Sequence, residues 1–224
     1  MKASVTVAAG LALATTSLAS GQVVFDQIGA DDGSNLLGAL IPANQYFEPA
    51  FSAYNIAAID DFTLGSAVTI TSVEAVIGGF GGYQGLALIT GYQVNIYSSS
   101  AAAGVSLVGD VFSQDFVLYS STFSYPLALQ DNVQFDVSIA LAAGTYFVAV
   151  IPSNEFGVNG QTGIIDTNLL DGVAGAFQAN PNGGFGFGAL QGVNANLGYR
   201  LSIPAPGALA VFAVGLIGFR RRRR

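Results

Sequence analysis

The sequence predicts an all-β fold, with a single antiparallel sandwich-like or jelly-roll-like domain over residues 22–203. Three observations support this class. Short stretches alternate between apolar and polar residues with a period of two, and turn-forming residues, among the 29 glycines of the chain, separate them. No convincing amphipathic helix stands outside the two ends. A closed barrel is the less favoured alternative.

Six stretches carry the strand patterns in chain order: residues 22–25, 68–77, 92–96, 133–141, 146–151 and 197–203. In the second stretch the alternation changes phase at Ser72, as it does at a β-bulge. The third and fourth stretches alternate cleanly, which predicts one buried and one wet face. The fifth is apolar on both faces, so we expect a central strand covered on both sides, and the last closes the domain.

Residues 1–21 have the pattern of a secretory signal peptide. Lys2 precedes an apolar run over residues 5–13, and small residues follow at Ser17, Ala19 and Gly21. A first core helix is the alternative interpretation. It is weaker because a strand-like stretch follows at once, and the apolar run is too short to span a membrane.

Residues 204–224 form a three-part ending. Pro204, Ala205 and Pro206 end the last strand, because proline lacks the backbone donor. Residues 207–219 carry no charge and as a helix would span about 20 Å at roughly 1.5 Å per residue, less than a hydrocarbon core of about 30 Å. The chain closes with Arg220, Arg221, Arg222, Arg223 and Arg224. Such arginines hold to the cytoplasmic face and act as a stop signal.

This ending resembles the PEP-CTERM sorting signal, with Ala205 where that family usually has Glu. The resemblance implies recognition by an exosortase-like membrane enzyme, a transient inner-membrane anchor, and release to the cell surface or extracellular matrix. Residues 60–64, 68–73, 94–98 and 143–147 are loosely similar to ectodomains of the same family. Those ectodomains look like β-sandwiches, so the resemblance also implies that fold.

Charge excludes some classes of partner. The full chain carries a formal charge of −7, but residues 22–203 hold all 14 acidic residues and one cation, Arg200, which leaves −13. So acidic a domain repels phosphate backbones and anionic lipid, and we expect no nucleic-acid binding. Membrane contact is expected only through the C-terminal segment before processing. The charge otherwise keeps an apolar domain soluble.

Residue types also argue against catalysis. The chain has no Cys and no His, which excludes triads and imidazole relays, and no Lys remains after processing. Carboxylate pairs are the remaining route, from Asp110, Asp115 and the two adjacent pairs described next. We predict that the protein is not an enzyme.

Two acidic pairs are candidate calcium ligands. Asp31 and Asp32 stand in a turn with Gly, Ser and Asn, and Asp60 and Asp61 stand where a strand begins. Calcium prefers such oxygen ligands, although neither pair has EF-hand spacing. Ordinary turn chemistry is the alternative for both pairs. Asp60 and Asp61 should point to opposite faces of a strand, so they do not form a ready catalytic dyad.

Aromatic residues cluster in predicted loops: Tyr46, Phe47, Phe51, Tyr54, Phe80, Tyr83, Phe177, Phe185 and Phe187. Exposed rings of this kind stack on sugar faces, whereas buried ones would cap the sandwich as satellite core. Altogether the sequence predicts a secreted surface or matrix protein with a structural or adhesive role. The alternative is a polysaccharide-binding module, assisted by Ca²⁺.

Overall fold

The computed structural model describes residues 21–121, 130–169 and 175–205, and Gly21–Pro204 form a compact unit. The strands are β1 (Gln22–Asp26), β2 (Ala57–Leu64), β3 (Val68–Phe80), β4 (Gly91–Tyr97), β5 (Phe112–Phe116), β6 (Asp131–Leu141), β7 (Gly144–Ser153), β8 (Gln161–Ile164), β9 (Asp166–Thr167), β10 (Phe177–Ala179), β11 (Leu190–Gly192), β12 (Asn196–Leu197) and β13 (Tyr199–Ile203). The helices are α1 (Ser100–Val105), α2 (Phe156–Asn159) and two 3₁₀ turns, Pro49–Tyr54 and Leu86–Leu88.

The strands form two main sheets that pack face to face. Sheet 1 has the order β1-β13-β3-β6 with β8 beside β3, and sheet 2 has the order β11-β10-β2-β7-β4-β5. The named strands pair antiparallel throughout the described residues. Phe25 of sheet 1 lies against Phe62 of sheet 2, with ring centroids 5.8 Å apart, inside a core shared by both sheets. The all-β, sandwich-like prediction is confirmed.

Strand β7 lies inside sheet 2 and is covered on both faces, as its sequence predicts. Val148 and Val150 face the core between the sheets. Phe147, Ala149 and Ile151 face a second apolar cluster on the outer side of sheet 2. A strand with two buried faces needs a continuous apolar run, and this explains the absence of alternation there.

The predicted bulge in β3 is also present. The pairing of β3 with β6 shifts register between Ile70 and Ser72. Beyond the shift, Val73 and Ala75 point into the core, while Ser72 and Glu74 lie on the other face. One extra residue thus reverses the pattern, which lets a long strand keep its apolar side on the core.

The wet face predicted for β4 is wrong at Asn95, while Gln93 on the same face stays partly exposed. Asn95 is completely buried, because α1 and the turn after it cover this face. The Asn95 side-chain oxygen accepts a hydrogen bond from the backbone of Gly109 at 3.0 Å. Beyond β4 the chain enters α1, whose first turn is capped by the Ser99 hydroxyl, which accepts a hydrogen bond from the backbone of Ala102.

The closing strand is divided. β12 pairs with β9, and β13 enters sheet 1 between β1 and β3. Gly198 lies at the break, where an added Cβ would stand 3.3 Å from Val76. The last strand is therefore an interior strand of sheet 1, and it brings Arg200, the one cation of residues 22–203, between Asp26 and Glu74.

Candidate functional site

An exposed group of aromatic side chains encloses a cavity of about 220 Å³. We call it the aromatic pocket; its lining residues are Phe47, Phe51, Tyr54, Phe156, Gln161 and Phe185. They come from the loop before β2, the 3₁₀ turn within it, α2, the start of β8 and the loop after β10. Only the tertiary fold brings these separate segments together.

The rings are arranged around Phe47. Its centroid lies 6.3 Å from Tyr54, 6.2 Å from Phe156 and 6.3 Å from Phe185. Tyr54 and Phe185 meet edge to face at 5.3 Å, and Phe187 stacks on Phe185 at 6.2 Å. Contacts at these separations are favourable for aromatic pairs, so the rings hold one another in place.

Buried polar side chains fix the two segments that carry most of the rings. Asn180 is fully buried, and its amide nitrogen donates to the carbonyls of Ala53 and Asn55 at 3.1 and 2.8 Å. Its oxygen accepts from the backbone of Phe185 at 3.1 Å. One side chain thus ties the loop after β10 to the 3₁₀ turn and sets the position of the Phe185 ring.

Two further polar contacts position the remaining rings. Glu48 accepts a hydrogen bond from the backbone of Phe156 at 3.0 Å, and Asn55 accepts one from the backbone of Phe47 at 2.8 Å. The wall of the pocket is therefore organised by hydrogen bonds made beneath it. A surface held in this way loses little conformational freedom when a ligand binds.

Most of these rings are exposed. The exposed fractions are 44% for Phe51, 43% for Phe156, 40% for Tyr54 and 37% for Phe185. A contiguous apolar surface made of rings is typical of a site that binds another molecule. Flat ring faces of this kind can stack on the apolar face of a sugar.

Gln161 is the polar member of the lining. It is only 8% exposed, and its side-chain nitrogen Nε2 is buried with no hydrogen-bond partner. An unpaired buried donor destabilises a folded protein by about 1–3 kcal/mol. The pocket therefore contains an unused donor that an acceptor on a ligand could satisfy.

A glycine places Gln161 at the start of β8. Gly160 ends α2 with φ of 60°, a conformation that glycine adopts without strain. A Cβ at Gly160 would also collide with the backbone of Gly82 and Tyr83. The chain can thus turn from α2 into β8 directly beneath the rings.

The other predicted aromatics have different surroundings. Tyr83 lies in the core between the sheets, and Phe177 packs on Phe147 at 6.0 Å. The Tyr46 hydroxyl donates to Gln93 at 2.7 Å, while Phe80 is exposed outside the pocket lining. Some of the predicted aromatic residues are therefore part of the core, and others are exposed around the pocket.

Sequence reasoning missed Phe156, Gln161 and Asn180 as members or supports of this site. Asn180 stands among turn-forming residues, from Asn180 to Gly184, but such residues do not show which segment the Asn180 side chain will bind. Gln161 has no local signal, because much of its environment comes from residues distant in sequence, such as Phe47, Phe51 and Tyr54.

Asp60 and Asp61 lie inside β2 and are completely buried, so their placement at the start of a strand is corrected. Asp60 accepts hydrogen bonds from the backbone of Leu197 at 2.7 Å and of Asp61 at 2.9 Å. Asp61 accepts from the backbone of Gly175 at 3.1 Å. Burial raises the pKa of Asp60 to about 8, so its carboxyl group is mostly protonated near neutral pH.

Asp31 and Asp32 lie in an exposed turn after β1. Asp31 pairs with Nη1 of Arg200 at 3.1 Å. Asp32 accepts from the backbone of Ser34 at 2.9 Å, and this hydrogen bond lowers the pKa of the Asp32 carboxyl. The second interaction is the ordinary turn chemistry that the sequence left as the alternative.

Arg200 is the centre of a cluster of charges, which we call the Arg200 cluster: Arg200, Asp26, Asp31 and Glu74. Nε bonds Asp26 at 3.1 Å, Nη1 also lies 3.6 Å from Glu74, and Nη2 donates to the carbonyl of Gly29. Burial raises the pKa of Glu74, against the lowering effect of Asn132 and Arg200. The cluster joins β1, β13 and β3.

Within residues 21–121, 130–169 and 175–205, no group of three or more His, Cys, Asp or Glu side chains is placed to hold a metal ion. Pro204 and Ala205 follow β13. Pro206, the arginines at 220–224 and residues 1–20 lie outside the described residues, as does the hydrophobic stretch between residues 207 and 219.

Comparison with known proteins identifies no family. No protein-family model matches the chain, and no curated protein matches it. In the part of the chain that the structure describes, no helix is long and apolar enough to cross a membrane.

Proposed function

We propose that this chain is a secreted adhesive protein of the cell surface or extracellular matrix, and that it adheres by binding polysaccharide in the aromatic pocket. The observation that carries the proposal is the convergence of exposed rings around Gln161, whose buried side-chain nitrogen has no partner. Exposed rings provide stacking surfaces for sugar faces, and the unused donor provides a point of orientation.

The acidic residues support binding without calcium. Asp31 is already paired with Arg200, and Asp60 is buried with a raised pKa. A protonated carboxyl group is a poor ligand for a cation that prefers ionised carboxylates. We therefore place the binding function in the rings and leave calcium assistance out of the proposal.

The test is binding of the full chain to the extracellular polysaccharide of its own host, with Ca²⁺ and with a chelator. A Phe51→Ala/Tyr54→Ala variant removes two stacking surfaces and should weaken binding at least tenfold, since each ring contact contributes about 0.5–1.5 kcal/mol beyond its buried area. Phe80→Ala is the matched control, because Phe80 is equally exposed outside the pocket. Equal binding by all three proteins would contradict the proposal.

Export and sorting form the second part of the proposal. The signal-peptide pattern at residues 1–21 and the resemblance of residues 204–224 to PEP-CTERM signals support it. An exosortase-like enzyme would then cut near Pro204–Pro206. The intact mass of the protein recovered from its host should lack Arg220 to Arg224, and recovery of the complete tail would contradict the sorting proposal.

A further inference from the structure

We infer that the aromatic pocket selects sugars that carry an acetyl group, and that the Gln161 side-chain amide donates a hydrogen bond to the acetyl carbonyl oxygen. This inference rests on the proposed function and names the class of its ligand. An acetyl group combines an apolar methyl with one strong acceptor. The pocket offers the complementary set, which is a wall of rings and one unpaired donor.

The polarity of the pocket argues for this chemistry. Five of its six lining residues are aromatic, and among them only Tyr54 has a polar group. A plain sugar hydroxyl both donates and accepts, so it would need an acceptor in the lining as well as the Gln161 donor. An acetyl carbonyl only accepts, and so it can be satisfied by Gln161 alone.

The amide can reach such a ligand. The terminal torsion of a Gln side chain is broad, so rotation about it can turn Nε2 toward the cavity. Gln161 is otherwise held by its backbone pairing with Phe80 in sheet 1. The donor is thus attached to a fixed strand that borders the rings.

Charge restricts the ligand to neutral sugars. Arg200 is the sole basic residue between residues 21 and 205, and Asp26 and Asp31 already engage it. Glu48 and Glu155 flank the Phe156 side of the pocket. A uronate or sulfated sugar would find no cation and two nearby carboxylates, and so it would be repelled.

The size of the cavity restricts how much of the ligand enters. At about 220 Å³ it is smaller than the roughly 300–1,000 Å³ of pockets that enclose a drug-sized molecule. One substituted sugar residue fits this space, while neighbouring residues of a polymer would lie over the exposed rings. A polysaccharide could therefore bind through one acetylated residue at a time.

The experiment measures binding of three neutral probes to the full chain by calorimetry: cellotetraose, O-acetylated cellotetraose and chitotetraose, which carries acetamido groups. We expect an acetylated probe to bind about tenfold more tightly than cellotetraose, the effect of one added hydrogen bond in a buried site. Preference for chitotetraose would identify an amide-linked acetyl group as the ligand. Preference for the O-acetylated probe would identify an ester, and either result supports the inference.

Gln161→Leu keeps the approximate volume of the side chain and removes the donor. It should abolish the preference for acetylated probes and retain the weaker binding to rings. Gln114→Leu, the same substitution at an exposed position of β5, should keep the preference. Equal affinity of the wild type for all three probes would overturn the acetyl inference and leave the proposed function in place. Failure to bind these probes and the host polysaccharide would overturn both.

Discussion

The Arg200 cluster and the aromatic pocket treat their polar groups in opposite ways. In the cluster, the guanidinium nitrogens of Arg200 all contact Asp26, Asp31, Glu74 or the carbonyl of Gly29. In the pocket, the Gln161 donor is buried without a partner under rings that remain exposed. The polar groups of the Arg200 cluster are thus paired within the protein, whereas the Gln161 donor of the aromatic pocket has no partner in the absence of a ligand.

This difference in pairing indicates that the Arg200 cluster serves stability and the aromatic pocket serves binding. Buried donors are usually paired in folded proteins. Among the described residues, Tyr83, Tyr92, Asn95 and Gln161 have an unpaired buried donor, and of these Gln161 is the one that lines the aromatic pocket. Here the unpaired donor lies beside a preorganised apolar surface, and that combination is typical of a recognition site. We therefore expect substitutions in the cluster to affect folding alone and substitutions in the pocket to affect binding.

The largest expected effect is on the Arg200 cluster. Arg200→Met would leave Asp26 and Glu74 without their counter-charge in a largely buried site, and we expect a loss of about 3–5 kcal/mol in the free energy of unfolding. Urea denaturation measures it. Binding per folded molecule should stay unchanged, because none of the pocket residues contacts the cluster in the described hydrogen bonds.

Arg200→Lys is the matched control for this prediction. It keeps the charge but loses the forked geometry that bonds two carboxylates and a carbonyl together. Its free energy of unfolding should lie between those of the wild type and the Met variant. A Met variant as stable as the wild type would show that the cluster does not hold β1, β13 and β3 together.

The next effect concerns Asp60 and pH. Its folded pKa of about 8 lies above the ordinary value of 3.8, so the folded state keeps a proton that the unfolded state releases. Stability from this group is fully present below about pH 4 and is lost as pH rises through 8. Asp60→Asn keeps an acceptor for Leu197 and cannot titrate. Between pH 5 and 8 the wild type should lose on the order of 3 kcal/mol of its free energy of unfolding through this group, and Asp60→Asn should not show that loss.

Urea unfolding at several pH values measures this difference. Asp32→Asn is the control, because the hydrogen bond from Ser34 lowers the pKa of Asp32 and so moves its titration away from this range. Parallel pH profiles for the wild type and Asp60→Asn would show that Asp60 is ionised in the fold.

The smallest effect is expected for a single ring of the pocket. Phe51 is 44% exposed and contacts the ring of Tyr54, so Phe51→Ala should lower the free energy of unfolding by less than about 1 kcal/mol. Phe135, which is 1% exposed in the core, provides the contrast, with an expected loss of about 3–5 kcal/mol on truncation. Similar losses at the two positions would show that the pocket rings are core.

Much of the sandwich was predictable, because a strand's pattern reports which of its faces is buried. The bulge at Ser72 and the two-sided burial of 146–151 follow from this rule alone. Asn95 did not fit it, since its burial depends on α1, an element packed over the sheet. The alternation of β4 is the same whether water or a helix covers the face that carries Asn95, so the sequence pattern could not distinguish the two cases.

The candidate site was only half predictable. The rings Phe47, Phe51, Tyr54 and Phe185 were visible as residues without a core pattern, but their meeting depends on Asn180 bridging two distant loops. The sequence could not show that the Gln161 side-chain nitrogen lacks a hydrogen-bond partner, because this depends on all the groups that the fold places around it. The same is true of Asp60, whose burial sets its pKa.

The most direct test measures two quantities on the Gln161→Leu variant, the free energy of unfolding and the affinity for polysaccharide. We expect the variant to be more stable than the wild type, because an unpaired buried donor is removed, and to bind polysaccharide more weakly. Opposite signs in the two measurements are the signature of a residue retained for recognition. A less stable variant, or one that binds as tightly as the wild type, would contradict the account.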